Sequence, residues 1–273
     1  MNEARRLAIV LSILMALMIF ISCNNQDSDV DHFQEGIELY HQGLFDEAIV
    51  ELDKAVLDDP NSSAAHEAKS EIYRMTGKLD LSLQSLNEAI KTRPEPPDNI
   101  RLYRVRGRTH DMLGNADLAE KDLGSAISLS PEDPTLYADR AWFYFVQERY
   151  DKSVEDWETS MKLDSADVSI KFYSSLSYYK IGEYARVIAL NQDVIRVDPE
   201  HGNAHNQIGE AYIEMGDYQN ALSALNTAIG LHDDRGIYYA NRSRVYEKLG
   251  NTGLSNTDLK KACELNTDLR ICQ

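Results

Sequence analysis

The chain contains 273 residues, of which 45 are acidic and 28 are basic, so its formal net charge is −17. Nucleic-acid binding depends on Lys and Arg side chains that neutralise phosphates, so this charge argues against a nucleic-acid partner. Hydrophobic residues make up 43% of the chain, which excludes wholesale disorder, and three cysteines are too few for a disulfide-built scaffold. The length fits one or two domains or one extended array.

The N-terminus has the pattern of an export signal. Arg5 and Arg6 precede an apolar run over residues 7–21, shorter than the roughly 20 residues of a membrane-crossing helix. This pattern predicts a signal peptide over residues 1–22, with an uncleaved signal anchor as the alternative. A small residue followed by Cys23 resembles a bacterial lipobox, which implies that Cys23 begins the mature chain and carries a lipid. The resemblance places the protein in the bacterial cell envelope, lipid-anchored to a membrane, with the outer membrane and its periplasmic face favoured.

The rest of the chain has a period of 34 residues. Glycines that follow amphipathic helical stretches recur at this spacing, with one interval of 37 residues. At one position of the series the residue is Glu148 and not glycine. A glycine ends a helix in a left-handed turn at low cost, so each position predicts the turn inside a pair of helices. Prolines 17 residues after four of these glycines end the second helix. The glycines are Gly43, Gly77, Gly114, Gly182, Gly216 and Gly250, and the prolines are Pro60, Pro94, Pro131 and Pro199.

This pattern resembles the tetratricopeptide repeat, in which small residues hold places 8, 20 and 27 of the 34-residue unit and Tyr lies near place 11. The sixth unit matches best, with Gly209 at place 8 and Tyr212 at place 11. The resemblance implies an all-α fold, a right-handed superhelical solenoid whose first helices line a concave surface.

Seven units fit the chain, and three inserted residues, 97–99, separate the second unit from the third. The expected organisation is a signal peptide over 1–22, a short polar linker over 23–30, the repeats over 31–269 and a tail over 270–273. The units begin near Asp29, Ser63, Ile100, Pro134, Val168, Gly202 and Gly236.

Places 2, 5, 9 and 12 of a first helix share one face, away from the packing residues at places 4, 8 and 11, and predict the lining of the concave surface. This stripe is basic in the third unit and aromatic in the fourth and fifth. Guanidinium groups bind carboxylates and aromatic rings anchor apolar side chains, so the stripe predicts a groove for a peptide segment. The alternative is that Glu67 and Glu71 neutralise the arginines and the aromatic residues pack laterally. The predicted groove residues are Arg74, Arg101, Arg104, Arg108, Trp142, Phe145, Phe172 and Tyr179.

The sequence contains no Walker-type or G-x-G-x-x-G loop, no H-E-x-x-H and no G-x-S-x-G motif. We therefore expect a protein without enzymatic activity, cofactor or metal, and interpret His201 and His205 as surface or packing residues. The prediction is a scaffold that docks peptide segments or partner domains of envelope proteins, and the family resemblance favours outer-membrane or pilus assembly. The alternatives are a regulatory or targeting subunit of an envelope protease or peptidoglycan enzyme, and a glycan-binding module.

Cys263 and Cys272 are an even pair if Cys23 is lipidated, and an oxidising compartment then favours one disulfide between them. Cys263 holds place 28, which is apolar in the other units, and Cys272 falls at place 3 of an unformed eighth unit. We expect Cys263 to be buried and the disulfide to pin the tail over the last repeat. The alternative is that both are small buried thiols.

Overall fold

The computed structural model describes residues 31–93, 99–266 and 272. The predicted signal peptide and Cys23 lie outside the described residues. The chain divides into two compact units, 1–98 and 99–273, and the boundary falls within the predicted insertion. Among the described residues, no helix has the length and apolar character that a membrane span requires.

The described residues form fourteen α-helices in seven consecutive pairs, which confirms the all-α repeat architecture. Six of the seven first helices begin at the first residue predicted for their unit. In the first compact unit the helices are α1 (His32–His41), α2 (Phe45–Asp58), α3 (Ser63–Met75) and α4 (Leu79–Thr92). In the second they are α5 (Ile100–Met112), α6 (Ala116–Leu129), α7 (Pro134–Val146), α8 (Tyr150–Leu163), α9 (Val168–Lys180), α10 (Tyr184–Val197), α11 (Gly202–Glu214), α12 (Tyr218–Leu231), α13 (Gly236–Lys248) and α14 (Thr252–Leu265).

The turn inside each pair has the left-handed backbone that the glycine spacing predicts. All six glycines of the series have φ angles from 73° to 82°. Glu148, at the skipped position, adopts a φ of 57° and is the one non-glycine residue with positive φ in the described part of the chain. A side chain at such an angle is strained, so the α7–α8 turn is kept at a local energetic cost.

The pairs of the first, third and sixth units close where a glycine at place 8 of the first helix meets a leucine at place 24 of the second. A Cβ atom on Gly209 would lie 2.6 Å from Leu225 Cγ, so only glycine allows this close approach of α11 to α12. Place 24 is leucine in five units, but the fourth and fifth have Trp157 and Asn191 there, both buried. The repeats around the predicted aromatic stripe thus depart from the common core.

Arginine and aspartate residues 16 positions apart clamp three of the pairs. Arg140 donates from Nε and Nη2 to the carboxylate oxygens of Asp156 at 2.7 and 2.8 Å, and Asp156 is buried. Such two-pronged, charge-assisted contacts fix the first helix against the second. The sequence analysis did not recognise this spacing. The three clamps are Arg106–Asp122, Arg140–Asp156 and Arg242–Asp258.

Candidate functional site

A groove of about 530 Å³ opens in the second compact unit. Residues of α5, α7 and α9, the first helices of three successive pairs, form its walls, and residues of α6 and α8 reach it from below. Its volume lies in the range of ligand-binding clefts, and most of its lining is apolar. The lining residues are Arg108, Asp111, Met112, Leu123, Ala138, Asp139, Trp142, Phe143, Trp157 and Tyr173.

Two partly exposed aromatic rings dominate the walls. Trp142 of α7 is 43% exposed and Tyr173 of α9 is 45% exposed, and their ring centroids lie 5.8 Å apart in an edge-to-face arrangement. Phe145 stacks on Trp142 at 5.3 Å and holds the indole in place. Exposed aromatic surface of this kind is typical of interaction sites because the rings offer a large contact area with little entropy to lose.

The basic side of the groove is ion-paired. Arg104 Nε lies 2.6 Å from Asp139 Oδ2, and Arg108 Nη2 contacts Asp139 Oδ1. The Asp139 side chain, only 11% exposed, thus bridges α7 to two guanidinium groups of α5. Arg104 and Arg108 are therefore neutralised, as the alternative interpretation expected, but by Asp139 and not by Glu67 or Glu71. Of the three arginines that the stripe predicted on α5, Arg108 lines the groove, whereas Arg101 and Arg104 lie outside its lining.

The remaining predicted residues lie outside the groove lining. Arg74 belongs to the first compact unit, where it pairs with Glu71 at 2.5 Å, a contact within α3. Phe172 packs against the His201 ring, with the centroids 4.7 Å apart. The Tyr179 hydroxyl donates to Glu214 at 3.2 Å, and burial raises the pKa of Tyr179 above its usual range. Phe172 and Tyr179 thus make lateral contacts with the next unit, whereas the contact of Arg74 stays within its own helix.

The sequence analysis missed Asp139 and Tyr173, and both hold place 6 of their units. In the structure, place 6 of a first helix faces places 5 and 9 of the preceding first helix, as Asp139 faces Arg104 and Tyr173 faces Trp142. Asn241 repeats this geometry by donating from Nδ2 to the amide oxygen of the place 5 residue before it, at 2.9 Å. Inspection of place 6 in each unit, beside places 5 and 9 of the unit before it, would have identified Asp139 and Tyr173 from the sequence.

The floor of the groove contains Trp157 of α8, which is 3% exposed. Its indole Nε1–H is buried and has no hydrogen-bond acceptor among the described residues. Five units have leucine at this place, and a leucine side chain has no hydrogen-bond donor. The two tryptophans of the protein therefore both line this groove, one exposed and one buried.

A polar cluster occupies the corresponding face further along, on α11 and α13. Asn206 Nδ2 donates to Glu210 Oε2 at 3.1 Å, and Arg244 Nη2 lies 2.8 Å from Glu214 Oε1. Burial raises the pKa of Glu210, and the nearby positive charge of Arg244 opposes that effect. The surface of these first helices therefore changes from basic and aromatic to polar and acidic within the second compact unit.

One group of side chains in the described residues has the spacing of metal ligands. Donor atoms of His32, Glu35 and Glu51 lie within 4.8 Å of one another. His32 Nδ1 lies 2.8 Å from Glu51 Oε2, and Lys54 Nζ lies 2.7 Å from the other oxygen of Glu51. Because the lysine ammonium already neutralises this carboxylate, we assign no metal site there.

Cys263 and Cys272 are joined in the structure, with their Cα atoms 5.5 Å apart. Both side chains are half-buried, so the expectation that Cys263 is buried holds only in part. The oxidation state of this pair in solution stays a prediction.

The helical pairs and their concave groove define a repeat protein of the kind that binds other proteins. Models of the tetratricopeptide repeat match residues 33–99, 202–234 and 237–269, and the chain belongs to the tetratricopeptide repeat family. Members of this family bind protein partners, and the chain is accordingly a protein-interaction scaffold.

Individual relatives match only parts of the sequence or only the fold. DnaJ homolog subfamily C member 3 of Gallus gallus is 28% identical over 119 residues, which are 43% of this chain and 24% of the relative. The chain thus spans about a quarter of the length of that curated relative. A tetratricopeptide repeat protein of Parabacteroides merdae has a TM-score of 0.68 at 17% identity, covering 88% of this chain and 94% of its own. The C-terminal part of a repeat-containing protein of Cytophaga hutchinsonii has a TM-score of 0.72 at 14% identity, covering 88% and 97%.

Proposed function

We propose that this protein is a non-enzymatic adaptor, anchored by a lipid on Cys23 in the bacterial cell envelope, that holds a peptide segment of a partner protein in the groove between α5, α7 and α9. The observation that carries the proposal is the pair of partly exposed rings, Trp142 and Tyr173, over a cleft of about 530 Å³. A preformed cleft binds a segment without ordering the receptor first, which favours affinity. The lipid would concentrate the adaptor and its cargo at the membrane.

Affinity capture from envelope extract tests the groove. The full mature chain is immobilised as wild type and as the variants Trp142→Ala and Tyr173→Ala, and Leu118→Ala serves as the matched control. Leu118 lies on α6, is 48% exposed and does not line the groove. Loss of a central aromatic anchor commonly weakens binding by about 2 kcal/mol or more, so both aromatic variants should lose the partner and the control should keep it.

The same capture separates protein from glycan as cargo. Extract with and without added peptidoglycan fragments is compared, and a protein cargo is retained equally in both. Recovery of the same partner by all three variants, with their helical circular dichroism unchanged, would contradict binding of the partner in the groove.

The lipid anchor has a separate test. Replacement of Cys23 by Ser should abolish incorporation of a labelled fatty acid and move the protein from the membrane fraction to the soluble fraction. A variant that still carries the label or still sediments with membranes would contradict the anchor and leave the groove proposal intact.

A further inference from the structure

The two exposed rings of the groove differ in their charged neighbours from other aromatic rings of the second compact unit. Five tyrosine rings of this unit have a Lys or Arg of the chain itself at 4.6 to 5.8 Å from the ring centroid. Among the described residues, no Lys or Arg stands over Trp142 or Tyr173 in this way. Tryptophan is the ring that attracts a cation most strongly, so a cation of a binding partner finds its best aromatic contact in the groove.

The neighbouring rings hold the indole of Trp142 in a position that a ligand can reach. Phe145 stacks on it with an angle of 22° between the ring planes, and the Tyr173 ring meets it at 73°. Trp142 and Tyr173 both keep a large exposed area beside this contact. Because the two rings meet at a steep angle, one side chain of a ligand can lie against both of them.

The groove lining also contains a carboxylate without a basic partner. Asp111 Oδ1 accepts from Gln147 Nε2 at 2.8 Å, and among the described residues no Lys or Arg pairs with Asp111. The other aspartate of the lining, Asp139, pairs with two guanidinium groups. Asp111 is half-buried, so water reaches its charge only in part. Its second oxygen is therefore available to a positively charged donor.

The charges at the groove favour a cation over an anion. The lining contains one basic residue, Arg108, against Asp111 and Asp139, which leaves one net negative charge. Arg104 contacts Asp139 from outside the lining, and including it makes the local sum zero, with Asp111 still unpaired. The chain as a whole has a net charge of −17, and such a field attracts cationic segments and repels anionic ones, within a screening length of about 8 Å.

The apolar part of the lining suits the stem of a long basic side chain. Met112 is exposed and adds flexible apolar surface, and the indole of Trp157 forms the floor. Lys and Arg bury their methylene groups along apolar surface while the charged end stays at a polar position. The groove offers both kinds of surface to one such side chain.

Building on the proposed function, we propose that the groove selects a basic peptide segment and holds one Arg or Lys side chain of that segment. The charged group lies against Trp142 and Tyr173 and donates to Asp111, and the methylene groups pack on Met112. A segment with a neutral or acidic residue at this position lacks both the cation–π contact and the ion pair.

Four synthetic peptides test the preference. The basic probe is acetyl-Gly-Ser-Ala-Arg-Ala-Ser-Gly-amide, and the others replace its Arg by citrulline, which is an uncharged isostere, by Leu, or by Glu. None contains an aromatic residue, and both tryptophans of the protein line the groove, so tryptophan fluorescence reports occupancy. The basic probe should bind about threefold to tenfold more tightly than the citrulline and Leu probes, and the Glu probe should bind weakest.

The titrations use the full mature chain as wild type, Asp111→Asn and Glu155→Gln. Asp111→Asn keeps the shape of the side chain and an acceptor for Gln147 but removes the charge. It should weaken the basic probe about threefold and leave the citrulline probe unchanged, because only the cation gains from the carboxylate. A residue that merely supports the fold would affect both probes alike.

Glu155→Gln is the matched control for net charge. Glu155 is exposed on α8 and does not line the groove, so its replacement should leave the preference for the basic probe intact. Circular dichroism verifies the fold of each variant. The comparison of the four probes on the wild-type protein does not depend on the variants.

Three outcomes would overturn the proposal. They are a citrulline, Leu or Glu probe that binds as tightly as the basic probe, no saturable response to the basic probe up to about 5 mM, and a folded Asp111→Asn variant that weakens the basic and citrulline probes equally or changes neither. A Leu probe that binds tightest would assign the groove to an apolar segment, and a Glu probe that binds tightest would assign it to an acidic one. None of these removes the adaptor function, which is tested separately by partner capture with the Trp142→Ala and Tyr173→Ala variants.

Discussion

Replacement of Glu148 by Gly should stabilise the protein. Glu148 adopts a φ of 57° in the turn between α7 and α8, where the equivalent turns of the series contain glycine. A side chain in the left-handed region costs about 1 to 2 kcal/mol, and the greater chain entropy of glycine offsets about 0.5 to 1 kcal/mol of this gain. The Glu148 side chain is exposed, so its removal should sacrifice little packing. We expect a net stabilisation of about 0.5 to 1 kcal/mol.

Urea unfolding followed by tryptophan fluorescence measures this effect where it arises. Trp142 lies in α7 and Trp157 in α8, so both probes belong to the pair that contains the altered turn. With a slope of about 2 kcal/mol per molar urea, the midpoint should rise by about 0.25 to 0.5 M. Circular dichroism, which averages over all pairs, should shift less if the repeats unfold in neighbouring groups.

The reverse substitution supplies the control. Gly216 has a φ of 76°, and a Cβ added there would meet nothing within 4 Å, so Gly216→Ala changes the backbone preference without a clash. It should destabilise by about 1 kcal/mol. An unchanged or lower fluorescence midpoint for Glu148→Gly, beside the expected loss for Gly216→Ala, would refute the assignment of strain to the α7–α8 turn.

Three further effects follow from contacts elsewhere in the second compact unit. Asp156→Ala removes the carboxylate that binds a largely buried guanidinium, and the free energy of unfolding in urea should fall by about 2 to 4 kcal/mol. A decrease below about 0.5 kcal/mol would show that this ion pair does not stabilise the fold. Thiol labelling of the unfolded, unreduced protein should find neither Cys263 nor Cys272 free, since a disulfide that closes so short a loop adds about 2 to 3 kcal/mol to the terminal repeat; two labelled thiols would exclude it. The hydrogen bond from Arg149 lowers the pKa of Glu120 to about 2 from an ordinary 4.5, so its stabilising effect is present above pH 4.5 and is lost as pH falls toward 2. Glu120→Gln should therefore flatten the pH dependence of the thermal midpoint in that window, and an unchanged profile would contradict the pairing.

The sequence by itself determined the seven helical pairs of the described residues and the starting residue of six of the seven first helices. These depend on local properties: a glycine tolerates the left-handed turn, a proline cannot continue a helix, and apolar residues at helical spacing require one buried face. Even the exception was visible in the sequence, because Glu148 holds the position of a glycine and adopts the backbone of one. Local rules of this kind act within a few residues and need no knowledge of the neighbouring unit.

The tertiary structure alone decided which of the predicted groove residues form a site. Helical spacing within α5 placed Arg104 and Arg108 on one face but gave no information about their partner, Asp139, which lies more than 30 residues further along the chain. Whether place 6 of one first helix meets places 5 and 9 of the preceding one depends on the angle and separation at which successive pairs pack. That geometry is set by the residues between the helices, and in this region by an indole, Trp157, where five of the units have leucine. The charge and shape of the groove are therefore properties of the packed repeats, because each wall belongs to a different unit of the chain.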